Sequence, residues 1–287
     1  MTEPAVVLDD LSMTFRTPGR DVRALDALTA TVPAGAIVGL LGRNGSGKTS
    51  LLRVLAGRDP RFTGSASVYG TPVRDLGRTP GLVGWAIGGW PGARDQSLAS
   101  LLRSIGRATP LLDQDRARVL MERFGLPVGG SWQKLSQGKL SAARASITLA
   151  MRAPLTLLDE PQAAMDAPSR DLLTAAIIEE QELHPRTWVI STHLIDEAAP
   201  LFERVLVLDS GRLVTDAEVD ELLARWVRVE ADAETLASLP HLGELDRLGA
   251  RASAILPVDA VPAGPGVRTH PLTLQALAGL LPLAPKE

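Results

Sequence analysis

The chain contains 287 residues, 45% of them hydrophobic, which suffices for one large folded domain or one domain with a smaller appendage. A formal net charge of −3 argues against a dedicated nucleic-acid-binding protein, which usually carries a basic surface, so we expect no nucleic-acid partner. The absence of cysteine excludes disulfides and thiolate metal sites, and no apolar stretch approaches the roughly 18 residues of a membrane-spanning helix.

The N-terminal part is predicted to form strands on both sides of a glycine-rich loop. Apolar runs separated by turn residues indicate strands at residues 6–8 and 67–69. Between them, residues 36–41 predict a short buried strand, and residues 50–56 predict a helix with one apolar face. The loop that joins these two elements, residues 42–49, fits the P-loop pattern G-x-x-x-x-G-K-[ST] at every fixed position.

This strand–loop–helix unit predicts a phosphate site. Consecutive backbone N–H groups and a helix N-terminus would point at one spot, which suits the phosphate chain of a nucleotide. We expect Lys48 to contact the β- and γ-phosphates and the Thr49 hydroxyl to ligate Mg²⁺. The residues predicted to bind the nucleotide through this loop are Gly42, Arg43, Asn44, Gly45, Ser46, Gly47, Lys48, Thr49 and Ser50.

Helical and strand patterns alternate farther along the chain. Leucine spacing predicts helices across residues 97–125, and strands are predicted at residues 155–158, 188–191 and 205–208, with a helix at 169–183 between the first two. This alternation predicts an α/β fold with a largely parallel sheet.

The pattern of the sequence changes after about residue 216. A helical pattern at residues 219–226 leads into residues 227–230, which alternate like an exposed strand. The remaining segments contain no recognisable chemical motif. We interpret this tail as a small accessory subdomain, and a structural cap on the main core is the alternative interpretation.

Two acids and a histidine follow the predicted strands. Asp159 and Glu160 come directly after the strand at 155–158, and in P-loop proteins an aspartate at such a strand end supports Mg²⁺ across from the P-loop threonine. Glu160 would then accept a proton from the water that attacks the γ-phosphate. His193 follows the next strand, where it would contact the γ-phosphate and steady that water. For Glu160 and His193 alike, a solvated surface position is the alternative.

A short motif after the predicted helices carries a family resemblance. Residues 135–139, Leu-Ser-Gln-Gly-Lys, resemble the LSGGQ signature of ABC-transporter ATPases. Residues 164–166 look like the D-loop of that family, and His193 looks like its switch histidine. Phe15 falls where the family places the aromatic ring that stacks on adenine, with a core aromatic as the alternative. The resemblance covers roughly residues 4–215.

The resemblance implies a fold and its divisions. We expect an α/β protein with a P-loop NTPase core and parallel sheet, an antiparallel β-subdomain, a helical signature subdomain and a small C-terminal α+β region. The nucleotide-binding domain is expected at residues 4–215, with its helical subdomain at about 90–145, and an accessory extension at 216–287.

The resemblance also implies cofactors, partners and an activity. ATP with Mg²⁺ would be held between two nucleotide-binding domains, in a homodimer or a heterodimer, each domain presenting its signature to the ATP of the other. The residues expected to act on the partner's ATP are Ser136, Gln137, Gly138 and Asp166. The chain would be an ATPase that powers transport through separately encoded transmembrane permease subunits, and it would lie at the cytoplasmic face of the cell membrane as a peripheral subunit.

The chain departs from the family pattern at two places. Gln137 and Lys139 replace the glycine and glutamine of the signature, for which we expect a working but weaker composite site. Our alignment places Gly88 where the family has a glutamine that joins Mg²⁺ and water to the membrane partner. A water would then complete the Mg²⁺ shell, with Gln96, brought in by a loop rearrangement, as the alternative. We expect hydrolysis to be slow or differently coupled.

Three functions remain open, and the transporter ATPase is favoured. A soluble ABC-type ATPase acting on ribosomes or DNA usually has two cassettes or a long coiled-coil insertion, and residues 49–135 contain neither heptads nor repeats. An ATP-binding subunit with weak hydrolysis is favoured by Gly88 and disfavoured by the intact acids and histidine. Export is favoured over import because the tail resembles the C-terminal extension of drug- or antibiotic-type exporter ATPases.

Overall fold

The structure is a computed structural model that describes residues 3–17, 19–79, 81–85, 96–109 and 111–281. Within these residues the strands form three sheets, and helices pack against them. In this described part of the chain, no helix is both long enough and apolar enough to span a bilayer.

The first sheet is antiparallel and borders the P-loop. It contains β1 (Pro4–Thr17), β2 (Arg20–Pro33), β4 (Thr63–Val68) and β5 (Thr71–Pro72), in the order β2-β1-β4-β5. Buried and exposed residues alternate along much of the long β1–β2 hairpin, as expected for a sheet with one face on a core. The predicted antiparallel β-subdomain is therefore confirmed.

The second sheet supplies the frame of the candidate site. Its strands are β3 (Ile37–Leu41), β6 (Val83–Trp85), β7 (Leu155–Asp159), β8 (Thr187–Ser191), β9 (Arg204–Asp209) and β10 (Arg212–Glu218), in the spatial order β10-β9-β3-β8-β7-β6. All neighbours are parallel except β10, which runs antiparallel to β9. The predicted parallel sheet is confirmed, and the carboxyl ends of β3, β7 and β8 meet at one edge.

Helices cover this sheet and form the region that carries the signature. They are α1 (Lys48–Leu55), α2 (Leu98–Ala108), α3 (Gln114–Arg123), α4 (Gln137–Ala150), α5 (Ala167–Leu183) and α6 (Ile195–Ala198). The helical stretch predicted at 97–125 is thus two helices. Asp113 marks the start of the second, because its carboxylate accepts a hydrogen bond from the backbone N–H of Arg116 at 2.8 Å.

A buried ion-pair cluster ties the signature-bearing region to the core. Glu180 of α5 is fully buried. Its carboxylate accepts a hydrogen bond from Arg116 of α3 at 2.6 Å and from Arg186, just before β8, at 3.3 Å. A buried carboxylate is tolerated only with such partners, so the cluster fixes α3 against α5.

The C-terminal part adds a third, antiparallel sheet. Its elements are α7 (Val219–Ala224), β11 (Trp226–Asp232), α8 (Ala233–Ala237), β12 (Leu242–Leu248), β13 (Arg251–Pro257), β14 (Arg268–His270) and α9 (Leu274–Ala278), with the strand order β12-β13-β11-β14. The expectation of an exposed strand at 227–230 is wrong in part, because β11 lies inside this sheet and Val229 is fully buried. Val229, Leu236 and Leu256 form a separate small core, whereas Ile255 and Leu277 join the main core. The predicted α+β character is confirmed, and the boundary at residue 216 stays a prediction.

Candidate active site

The P-loop follows β3 and has glycine where its backbone requires it. The φ angles of Gly42 and Gly47 are +142° and +109°, in the region that side chains disfavour. A Cβ on Gly42 would collide with the carbonyl oxygen of Leu208, and one on Gly47 would lie 2.5 Å from that of Ala24. The glycines therefore let the loop pass close to two neighbouring strands before α1 begins.

Lys48 is the first residue of α1, and its side chain lies back over the loop. Its side chain is 6% exposed, and Nζ donates hydrogen bonds to the carbonyl oxygens of Gly42 at 2.7 Å and Arg43 at 3.2 Å. The same Nζ is 3.7 Å from Oε1 of Glu160. The ammonium group thus stands between the loop and the acid that follows β7. Ser46 adds a buried hydroxyl that lacks a hydrogen-bond partner in the described part of the chain.

Asp159 and Ser191, at the carboxyl ends of β7 and β8, meet the hydroxyl group of Thr49 from α1. Asp159 and Ser191 are paired residues of these parallel strands. Oδ1 of Asp159 accepts hydrogen bonds from Ser191 Oγ at 2.7 Å and from Thr49 Oγ1 at 3.2 Å. The predicted pairing of the P-loop threonine with the strand-end aspartate is present.

Glu160 is held by contacts to both its backbone and its carboxylate. Its φ angle is +47°, unusual for a residue with a side chain, and its N–H donates to the carbonyl and the hydroxyl oxygens of Ser191 at 3.1 and 3.0 Å. Oε2 accepts a hydrogen bond from the backbone N–H of His193 at 3.2 Å and lies 2.6 Å from its Nδ1. Glu160 and His193 are therefore in direct hydrogen-bond contact. The alternative interpretation, a solvated surface position for each residue, did not predict this contact.

A cleft of about 330 Å³ opens beside these groups. Its lining includes Phe15, Asn44, Gly45, Gly47, Lys48, Thr49, Ser50 and Glu160. Phe15 is half-buried at one wall, where the guanidinium of Arg61 lies 5.5 Å from its ring centre. Phe15 and the predicted P-loop residues thus line the same cleft. The volume of this cleft lies within the range of small-molecule binding pockets.

The signature residues lie at the start of α4, outside the lining of this cleft. The backbone N–H of Lys139 donates to Ser136 Oγ at 3.4 Å, which makes Ser136 the N-cap of the helix. Ser136 and Gln137 are exposed. A Cβ on Gly138 would collide with the carbonyl oxygen of Ala164, so this glycine is also required by packing against the predicted D-loop. None of the signature residues is among the described residues that line the cleft.

Asp166 has a structural contact of its own. It caps α5 by accepting a hydrogen bond from the backbone N–H of Ser169 at 3.1 Å. Hydrogen bonds from Ser169 hold the pKa of the Asp166 carboxyl below its usual value. Gly88, assigned to the family's glutamine position, lies outside the described residues.

Comparison with known proteins identifies the family. A family model for the ABC transporter matches residues 25–163. The aliphatic sulfonates import ATP-binding protein SsuB 2 of Streptomyces avermitilis is 33% identical over 223 residues, covering 77% of this chain and 83% of that protein. The chain belongs to the ABC transporter ATP-binding family. Its SsuB relative from Escherichia coli strain K12 is 30% identical over 226 residues, covering 77% of this chain and 86% of that protein.

Solved structures of ABC cassettes share the fold. A dimeric ATP-binding cassette in a post-hydrolysis state bound to ADP and Pi has a TM-score of 0.65 at 20% identity, covering 75% of this chain and 98% of that one. An ATP-binding subunit of an ABC transporter has a TM-score of 0.66 at 21% identity, covering 76% and 91%. These likenesses confirm the predicted P-loop NTPase architecture.

Family membership confirms the predicted enzyme class, an ABC-type ATPase. The SsuB relatives are named as import subunits. The predicted resemblance to drug- or antibiotic-type exporters, and with it the expected export direction, therefore finds no support in these relatives.

Ser191 is the site residue that sequence reasoning missed. It is fully buried and contacts both acids, since its hydroxyl donates to Asp159 and accepts from the N–H of Glu160. The available signal was a polar residue at the end of an otherwise apolar strand, but the strand pairing that brings it to Asp159 is not visible in one sequence.

Replacing Ser191 with Ala is expected to lower ATP turnover about tenfold and to raise the Mg²⁺ concentration needed for half-maximal activity. The reason is that one buried hydroxyl fixes both the aspartate and the backbone of Glu160, and each lost hydrogen bond weakens that arrangement by about 1 kcal/mol. Turnover measured across a Mg²⁺ titration checks this, with Ser191→Cys as a control of similar volume. An unchanged Mg²⁺ dependence in Ser191→Ala would contradict it.

Proposed function

We propose that the chain binds MgATP in the cleft beside Phe15 and hydrolyses it to ADP and phosphate in order to power a membrane transporter. The observation that carries this proposal is one set of contacts: Lys48 and His193 contact Glu160, Thr49 contacts Asp159, and Ser191 links the two acids. The cleft with Phe15 at its wall supports a site for the whole nucleotide, from adenine to γ-phosphate.

The proposed metal site uses Thr49 and Asp159. Their oxygens lie 3.2 Å apart and are the hard donors that Mg²⁺ prefers, an ion commonly held by one or two carboxylates together with substrate phosphates. When bound there, Mg²⁺ would offset negative charge on the phosphate oxygens. Ser191 keeps the Asp159 carboxylate turned toward Thr49.

Lys48 is proposed to bind the phosphates, and Glu160 is proposed to act on the attacking water. In the nucleotide-free arrangement Lys48 donates to two loop carbonyls, and phosphate oxygens would replace these acceptors. Glu160 is proposed to accept a proton from the attacking water. His193 orients that carboxylate, because its backbone N–H and Nδ1 both contact Oε2.

A second nucleotide-binding domain is proposed to complete the site. Ser136 and Gln137 are exposed at the start of α4 and outside the chain's own cleft, which supports their action on ATP held by a partner. The partner is a second copy of this chain or a related domain, and Gly138 and Asp166 belong to the same proposed contact.

Transport is proposed to occur through separate transmembrane permease subunits, with this chain bound at the cytoplasmic face of the membrane. The SsuB relatives, whose names state import of aliphatic sulfonates, support import as the direction. The membrane subunits would select the substrate.

ATP-dependent association tests the proposal. With a non-hydrolysable ATP analogue and Mg²⁺, the molecular mass measured by light scattering should double, and Ser136→Arg should remain a monomer while still binding the analogue. The matched control is Ser104→Arg, an exposed serine on α2, which should dimerise normally. Absence of ATP hydrolysis by the unmodified chain at every protein concentration, or dimerisation of Ser136→Arg, would refute the proposal.

A further inference from the structure

A second cavity adjoins the nucleotide cleft and meets it at Glu160. It has a volume of about 380 Å³ and lies between α4 and the carboxyl end of β7. Among the described residues that line the two cavities, Glu160 is common to both. A reaction product released next to the carboxylate of Glu160 in the nucleotide cleft would therefore lie beside this second cavity.

The wall contributed by α4 is polar where an apolar face would be expected. Gln137, Ser141, Arg144 and Thr148 line the cavity and recur at spacings of three and four residues, which places them on one face of the helix. A helix packed on a sheet normally turns apolar residues inward. A polar stripe along a cavity wall favours a cavity that holds water or a polar ligand.

Two of the residues that line this cavity carry a buried donor with no acceptor in the described part of the chain. Nε of Arg144 and Nε1 of Trp85 are both buried and without a hydrogen-bond partner there. Burial also lowers the pKa of the Arg144 guanidinium, because no carboxylate compensates its desolvation. Arg116 contrasts with it, since it is paired with the buried Glu180.

The two acids in the lining already have partners on the nucleotide side. Glu160 uses Oε2 for His193 and has Oε1 3.7 Å from Lys48. Oδ1 of Asp159 accepts from two hydroxyl groups. The unsatisfied groups of the cavity are therefore hydrogen-bond donors, one of them cationic, and this chemistry suits an oxyanion.

We propose that this cavity is a binding site for inorganic phosphate, which moves past Glu160 after hydrolysis and is received by Arg144 and Trp85. The inference rests on the proposed ATPase function, because that reaction generates the phosphate at the shared wall. Ser141 supplies a further hydroxyl group on the same face. The site gives the product anion a cationic partner while ADP still occupies the cleft.

Phosphate binding to the ADP-loaded protein tests this. The protein is saturated with MgADP so that the P-loop is filled, and orthophosphate binding is followed by the broadening of its ³¹P resonance. Arg144→Gln should weaken phosphate binding about tenfold or more, the effect of losing a charge-assisted contact. Arg144→Lys, which keeps the charge, should lose much less phosphate affinity than Arg144→Gln. Trp85→Phe should bind phosphate severalfold more weakly than the unmodified protein.

The matched control is Arg107→Gln, which removes an exposed arginine of α2 and should bind phosphate like the unmodified protein. Phosphate binding that is absent from the MgADP-loaded protein, or equal in Arg144→Gln and the unmodified chain, would overturn the inference. ATP hydrolysis by the unmodified chain is measured separately. If the unmodified chain hydrolyses ATP but Arg144→Gln binds phosphate as tightly as the unmodified chain, only the phosphate-site inference fails. If the unmodified chain does not hydrolyse ATP, the ATPase proposal itself is refuted.

Discussion

Replacing Glu160 with Gln is expected to leave MgATP binding within about twofold of the unmodified protein and to lower turnover by at least ~10²-fold. The amide has nearly the same shape and can still accept the hydrogen bond that the backbone N–H of His193 gives to Oε2. It cannot accept a proton from water at neutral pH. The change therefore separates positioning of the nucleotide from its hydrolysis.

Nucleotide titration and phosphate production, measured on the same preparation, check this expectation. Glu122→Gln is the matched control, since Glu122 is an exposed acid of α3 and the substitution changes the net charge equally. Because ATP would persist on the Glu160→Gln protein, its ATP-bound dimer should also outlast that of the unmodified chain in light scattering. Turnover within about threefold of the control would show that another group takes the proton.

The parts of the site that were predictable have local causes. The P-loop pattern lies within one strand–loop–helix unit, and its glycines stand at positions where the backbone has positive φ. The close approaches to Leu208 and Ala24, which also require glycine, come from two other strands. Asp159 and His193 were predictable because parallel strands end at a common edge of the sheet. The signature at residues 135–139 then identified the family among P-loop proteins.

The parts that were not predictable depend on contacts between distant segments. Ser191 becomes a site residue only because β8 pairs with β7 in a register that sets it beside Asp159. Gly138 was predicted to offer its N–H to phosphate, and the structure adds a packing requirement, since Ala164 occupies the space of a side chain. A single sequence contains no record of either pairing, and periodicity reports only which face of an element is apolar.

The C-terminal region shows the same limit. Alternation at residues 227–230 predicted a strand but not its neighbours on both sides, so the burial of Val229 was missed. The two faces of the third sheet pack into different cores. On β13, Leu256 belongs to the small C-terminal core, whereas the adjacent Ile255 belongs to the main core.

Replacing Lys48 with Ala is expected to weaken MgATP binding by at least ~10²-fold. Charge-assisted hydrogen bonds contribute about 1.5–3 kcal/mol each, and the ammonium group is positioned for two: it already satisfies the carbonyl oxygens of Gly42 and Arg43. Its side chain is 6% exposed, so water does not replace it readily in the loaded cleft. ATP affinity is measured by titration with a fluorescent ATP analogue, and thermal unfolding reports whether the loop still folds.

The control variants separate charge from position. Lys134→Ala removes an exposed lysine outside the cleft and should bind ATP normally. Lys48→Arg keeps the charge, but the longer, planar group does not fit between the loop carbonyls and Glu160, so it should recover only part of the affinity. Because Lys48 also lies 3.7 Å from Glu160, turnover of Lys48→Arg at saturating ATP should remain low even where binding is recovered. An ATP affinity of Lys48→Ala equal to that of Lys134→Ala would refute the P-loop assignment.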